Sequence, residues 1–205
     1  VNSHGNLLHL HRMRALCDAI VVGAGTVAAD DPRLTTRLVP GPNPVRVVVD
    51  PECRLGPGYR VFQDGEAPTL LACRADRARG AARTHGAAER LPVPCAATFD
   101  HAALLAALRA RGLARVFVEG GGRTVSAFLA AGLLDRLQVA VAPLIIGDGR
   151  PGIRLAPPAR LGDCRRPRWR VYRMGDDVLF DCDLAACGEA DDGSTAAEPP
   201  LLRLI

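Results

Sequence analysis

Two short apolar runs in this chain, Ala19-Ile20-Val21-Val22 and Val116-Phe117-Val118, lead into glycine, the second through Glu119, and hand over to a helical segment. Strand followed directly by helix, repeated along a chain, argues for a mostly parallel sheet with helices on both faces. A strand that ends this way leaves backbone N–H groups aimed at open space, where an anion completes their hydrogen bonds. The first junction reads as a turn, Gly23-Ala24-Gly25-Thr26, followed by Asp30-Asp31-Pro32 and bracketed by Arg14 and Arg37. The second is Glu119 followed by Gly120-Gly121-Gly122. Two glycine-bearing strand ends predict one crevice that holds two anionic ligands. Gly23-Ala24-Gly25 alone is a weak signal, since Ala28 stands where the dinucleotide fingerprint has its third glycine.

The rest of the chain fits around these junctions. Leu7, Leu10 and Arg14 recur at helical spacing and predict a helix over 6–16, before the buried strand over 19–22. A helical turn over 26–29 is stopped by Asp31-Pro32, because the residue before proline avoids helical angles. Residues 45–49, rich in valine and bounded by prolines, read as a central strand, and 69–73 as another. The Arg-, Ala- and Gly-rich stretch 74–94 reads as a surface connection with one helical turn. Asp100 caps a helix that runs through Ala110 and stops at Gly112, and a further helix follows the second glycine turn and ends at Gly132. Beyond Asp135, strands over 137–142, 169–174 and 178–182 are expected, the last two joined as a hairpin by Gly175-Asp176-Asp177. The fold class is thus α/β, a three-layer α-β-α arrangement whose mostly parallel sheet is finished by antiparallel C-terminal strands. Residues 1–184 form the domain, and 185–205, rich in Glu, Asp, Gly, Ser and Pro, read as a disordered tail.

Charge and cysteine usage narrow the function. The net charge is only +4, and all 26 basic residues are arginine. Lysine Schiff-base chemistry is therefore excluded, and any phosphate contact is a guanidinium fork. The arginines are scattered apart from Arg165, Arg166, Arg168 and Arg170, and few aromatics accompany them, so nucleic acid is not an expected partner. The longest apolar run, 137–146, is interrupted by Gln138 and Pro143 and falls short of the roughly 20 residues of a membrane helix. No membrane partner is expected, and without a secretory pattern near Val1 the expected location is the cytoplasm. Cysteines at 17, 53, 73, 95, 164, 182 and 187 show no C-x-x-C spacing, so neither a disulfide framework nor a metal site is expected. Cys17 and Cys73 read as buried small hydrophobes. His9 and His11, two apart on a helix, do not share a face and read as exposed or capping residues.

Residues 11–37, HRMRALCDAIVVGAGTVAADDPRLTTR, then 44–51, PVRVVVDP, then 116–147, VFVEGGGRTVSAFLAAGLLDRLQVAVAPLIIG, resemble the pyrimidine reductase domain of riboflavin biosynthesis. This is the RibD C-terminal family, with a dihydrofolate-reductase-like fold, and the resemblance covers about 1–184. It implies NADPH-dependent reduction of the ribosyl group of 5-amino-6-(5-phosphoribosylamino)uracil to ribityl. Hydride would pass from the nicotinamide C4 to the sugar C1′ in its opened aldehyde or imine form. It also implies a homodimer. Two alternatives remain: a non-catalytic nucleotide-binding homologue, and a reductase of a related diamino-pyrimidinone phosphate or pterin-like substrate.

Carried over residue by residue, the resemblance implies that Thr26 and Asp30 contact NADPH. Gly121, Gly122, Arg123, Thr124, Val125, Ser126 and Ala127 match the loop and helix start that hold the cofactor phosphates. Arg14, Leu34, Arg37 and Glu119 match substrate-binding positions, the arginines suiting a ribose 5′-phosphate. On the residues alone, Arg14 and Arg37 also read as solvated charges, and Asp30 as a cap before Pro32. Glu119 ends a strand read as buried, where an unpaired carboxylate is costly unless something satisfies it. No residue stands out as a general acid. Family members open with a strand, a Ser-Leu-Asp-Gly type turn and a stretch ending in Ser and Trp. Val1-Asn2-Ser3 matches the point just after it, so a centrally placed first strand is expected to be missing. Pro51 stands where family members offer the cofactor a hydroxyl.

Overall fold

The computed structural model describes residues 3–185. Of the segment 185–205 read as a tail, the residues from 186 onward, Cys187 among them, lie outside the described residues. Ser3 opens the first helix, α1 (His4–Leu16), its side chain accepting the N–H of Asn6. Then come β1 (Ala19–Gly23) and α2 (Ala24–Asp30), β2 (Val45–Val49) and β3 (Thr69–Arg74). The short helix α3 (Ala75–Ala78) precedes β4 (Thr84–His85) and β5 (Ala88–Val93), and α4 (His101–Arg109), β6 (Val116–Val118) and α5 (Gly122–Ala130) follow. The chain closes with β7 (Arg136–Val141), β8 (Arg168–Met174) and β9 (Asp177–Asp183).

The main sheet has the order β4-β5-β3-β2-β1-β6 and is parallel except for the β4–β5 pair. Alternation along the strands sorts its side chains onto two faces. Ala19, Val21, Val47, Val49, Leu70 and Ala72 pack against Leu104 and Leu108 of α4 and Phe128 of α5. Ile20, Val22, Val48 and Leu71 face Ala24 and Val27 of α2, together with Leu34, Leu55, Val61 and Phe62. Strands buried on both faces are near-continuous apolar runs, which is why 19–22, 45–49 and 69–73 stand out in the sequence.

Arg46 is the exception inside that core, only 1% exposed. Its guanidinium meets both carboxylate oxygens of Asp64 at 2.9 and 2.7 Å, Thr69 Oγ1 at 2.9 Å, and the carbonyls of Arg33 and Ala67. Burial works to raise the Asp64 carboxyl, but hydrogen bonds from Arg46 and the Glu66 N–H, with the charges of Arg46 and Arg33, together outweigh it and hold the group below its ordinary value. A buried cation is tolerated because its donors have partners.

Several expectations are corrected. Residues 74–94 are not a surface connection: β5 pairs in parallel with β3, and β4 folds back on β5. Only Ala88, Leu91 and Val93 of that strand are buried, so no apolar run marks it, and Pro92 lies beyond the reach of the two-residue β4. Gly23-Ala24-Gly25 is not a turn: Gly23 is the N-cap of α2 and the next two residues are already helical. That helix stops at Asp31 as expected, but Asp31 rather than Asp30 is its cap, at φ 39°, its N–H returning to Val27 O. Its carboxylate accepts the N–H of Arg60 at 2.8 Å. Cys17 is half-buried, whereas Cys73 is fully buried, its thiol pushed up to about 12 by burial and by the neighbouring Cys53.

The antiparallel C-terminal strands form a sheet of their own, β7-β9-β8, with Gly175 at φ 71° in the two-residue hairpin turn between β8 and β9. β6 and β7 are outer strands of their sheets, and between them lies a mostly apolar cavity of about 460 Å³ lined in part by Met13, Val116, Val118, Phe128 and Leu137.

Candidate functional site

β1 and β6 are parallel neighbours, so the helices that follow them start side by side at one end of the sheet. The Glu119 N–H donates to Val21 O at 2.9 Å, carrying the pairing one residue past β6. The Gly121 N–H donates to Thr26 Oγ1 at 2.9 Å, which ties the two glycine junctions together. A Cβ on Gly23 would collide with Thr124 Oγ1, and one on Gly122 would lie 2.5 Å from Pro151 O and 2.7 Å from Gly152 O. At Gly122 the approach of that backbone requires glycine. No side chain caps the N-terminus of α5. The Thr124 N–H turns back to Gly121 O at 3.0 Å, which leaves the N–H groups of Gly122 and Arg123 and the helix's partial positive charge at this end, with the exposed Arg123 side chain beside them.

The other half of the crevice is built from α1, the end of β6 and the loop after α2. Arg14 is 5% exposed. Its Nε and one terminal nitrogen grip Glu119 at 2.8 and 2.5 Å, and the other donates to Thr35 O at 3.1 Å. The carboxylate that sequence reasoning flagged as costly is thus satisfied. It is 22% exposed, because β6 is an edge strand and only half-buried, not the buried strand expected. Leu34 sits at φ 58°, a conformation that costs a branched residue about 1–3 kcal/mol, while its side chain is locked into the core. Arg37 is exposed, and its guanidinium has no partner among the described residues.

The structure therefore brings Arg14, Glu119, Leu34 and Arg37 to one side, and Thr26, Gly121, Gly122, Arg123 and Thr124 to the other. Asp30 is exposed at the end of α2. Ser126 is buried, its Oγ accepting the N–H of Arg154 at 2.7 Å, so its hydroxyl holds the loop around 150–155. Val125 faces the cavity beside β6, and Ala127 is half-buried on α5.

Two residues of this region escaped the sequence reading. Thr35, 4% exposed, supplies the carbonyl that anchors Arg14. His11 is 1% exposed rather than a surface or capping group, and its Nδ1 accepts the N–H of Arg37 at 3.1 Å. The signal available was the i, i+3 spacing of His11 and Arg14, which puts both on one helix face. Burial lowers the His11 pKa below its ordinary 6.5, and the positive charges of Arg14 and Arg37 lower it further.

Comparison with known proteins bears on this geometry. Residues 2–172 match the family model described as the RibD C-terminal domain. The chain is 36% identical over 189 residues to the 2,5-diamino-6-ribosylamino-4(3H)-pyrimidinone 5′-phosphate reductase of Methanothermobacter thermautotrophicus, covering 88% of this chain and 86% of that one. It is 38% identical over 187 residues to the riboflavin biosynthesis protein RibD of Mycobacterium tuberculosis, covering 88% of this chain and 46% of that protein. A Thermotoga maritima diaminohydroxyphosphoribosylaminopyrimidine deaminase/5-amino-6-(5-phosphoribosylamino)uracil reductase superposes with a TM-score of 0.71 at 27% identity, over 85% of this chain and 47% of that one. The chain thus spans nearly all of a stand-alone reductase and about half the length of the two longer proteins.

Proposed function

Because the chain belongs to the RibD C-terminal domain family, we propose that it reduces the ribosyl group of 5-amino-6-(5-phosphoribosylamino)uracil to ribityl with NADPH, in riboflavin biosynthesis. The observation that carries this reading is the adjacency of two unlike anion sites. One is the uncapped start of α5, tied to α2 through Thr26. The other is the loop of Leu34 and Arg37, held against the Arg14–Glu119 pair.

The cofactor side suits a dinucleotide phosphate through the N–H groups of Gly122 and Arg123 at the uncapped start of α5, to which Arg123 adds a charge and Thr124 a hydroxyl. Bound there, NADPH supplies a hydride from its nicotinamide C4. This chain's residues supply position. Arg37, unpaired and exposed, takes the ribose 5′-phosphate as a two-pronged donor. Arg14 spends its donors on Glu119 and Thr35, so it fixes the carboxylate rather than the phosphate, and Glu119 accepts hydrogen bonds from the polar substrate. Holding C1′ in line with the hydride donor contributes much of the rate in such a reaction.

A second substrate is favoured by one observation. The relative matched over 86% of its length is named for a diamino-pyrimidinone phosphate rather than a uracil. Assaying both compounds with NADPH and NADH, with the product identified by mass, tests the proposal. A ribityl product from one of the pyrimidines supports it, and cofactor binding without reduction of either favours the non-catalytic alternative. The same reading makes the protein a homodimer. Val141, Trp169 and Phe180 leave an apolar exposed face on the antiparallel sheet, and light scattering checks the association.

A further inference from the structure

His11 is the one buried histidine of the described chain that touches the substrate loop, and neither the hydride donor nor the substrate needs to reach it. The loop after α2 is fastened to α1 at two points one turn apart on that helix. Arg14 donates to Thr35 O, and His11 Nδ1 accepts from the Arg37 N–H. Accepting at Nδ1 requires the ring to be neutral, with its proton on Nε2. Before Arg37 the loop has other moorings, the buried Leu34 side chain and the Thr36 N–H, which donates to Asn43 Oδ1 at 2.7 Å. Among the described residues the Arg37 backbone itself is held by His11 alone.

We propose that His11 is a positioning residue for the substrate: its ring holds the Arg37 backbone, and so sets where the Arg37 guanidinium meets the sugar phosphate. The inference rests on the reading of Arg37 as the phosphate fork. The charged groups facing the ring are Arg14 of the same helix and Arg37 of the loop, and Glu119 sits behind Arg14. A proton on Nδ1 would set two donors against each other and add a third positive charge to this group. The clamp therefore opens in acid and is closed at neutral pH, in keeping with the lowered pKa of the ring.

The test compares His11→Leu, which removes the acceptor, with His11→Asn, whose Oδ1 stands near the position of Nδ1 without titrating. In the Leu variant KM for the phosphorylated pyrimidine rises about tenfold, the expected effect of losing one buried hydrogen bond. Its kcat and cofactor affinity stay near the wild-type values, and the Arg37 amide exchanges with solvent faster. The Asn variant restores most of both KM and protection. As the pH falls below the ordinary histidine range the wild-type KM climbs more steeply than that of the Asn variant, in which only the substrate phosphate takes up a proton. An unchanged KM in the Leu variant overturns the proposal, as does a fall in kcat with KM unmoved. If the Leu variant does not fold, the pH profiles of the wild type and the Asn variant decide, and matching profiles overturn it. Amide exchange reads the clamp without turnover, so a protein that protects Arg37 through His11 but reduces nothing would fail the functional reading and not the clamp.

Discussion

The side of the crevice proposed for the substrate is fixed by buried polar groups, and the side proposed for the cofactor by close backbone approach. On the first, Arg14 and His11 reach from α1 to a loop and an edge strand through hydrogen bonds that tolerate little change in chemistry. On the second, glycines let α5 press against β1 and the loop at 150–152, with two hydroxyls as acceptors: Thr26 Oγ1 for the Gly121 N–H and Ser126 Oγ for the Arg154 N–H. Substitutions on the first side should therefore act through lost partners, and those at the glycines of the second through added volume.

Arg14→Ala should show the largest effect. It strands a partly buried carboxylate and the Thr35 carbonyl, at a cost of about 3 kcal/mol in denaturant unfolding, the low end for a broken buried pair because Glu119 keeps some exposure. kcat/KM should fall roughly 100-fold. The double variant Arg14→Met/Glu119→Leu should regain stability and remain inactive, and an active double variant would break the comparison. Arg37→Ala comes next: KM for the phosphorylated substrate should rise roughly 30-fold, the weight of one charge-assisted fork, with unfolding unchanged. Gly122→Ala adds a methyl against two carbonyl oxygens and should weaken cofactor binding about tenfold in calorimetry while KM for the pyrimidine holds. Thr26→Val should cost about fivefold in cofactor affinity through one lost hydrogen bond.

The smallest effect is on the acid side of the stability profile. The folded pKa of His11 lies below its unfolded value of 6.5, so the unfolded chain takes up more protons as pH drops. The contribution is present in full above that pH and is lost progressively below it. Thermal midpoints measured from neutral pH down to about 5 should fall more for the wild type than for His11→Asn.

How much of this was legible in the sequence follows the same division. The strands at 19–22, 45–49 and 69–73 announce themselves because both of their faces are buried, and the two glycine junctions because close approach demands glycine. The parallel order and the pairing of the junctions in one crevice followed from these. β5 was hidden because a strand near the sheet edge buries only Ala88, Leu91 and Val93 among polar neighbours. Arg46 was hidden because a buried arginine looks, in sequence, like any of the other 25, and only the converging Asp64, Thr69 and carbonyl groups reveal it. His11 was misread for a related reason. Its spacing to Arg14 was visible, but the loop that returns to cover it comes more than twenty residues later, and a single helix does not say which face will be covered.

The central claim is that this crevice passes a hydride from the nicotinamide C4 to C1′ of a phosphorylated ribosylaminopyrimidine. The most direct test is turnover with NADPH carrying deuterium at the transferable C4 position, followed by mapping of the label in the product. The account predicts deuterium at C1′ of a ribityl product, one per molecule. Oxidised cofactor with no label on the sugar, or no reaction from folded protein that binds NADPH, would contradict it.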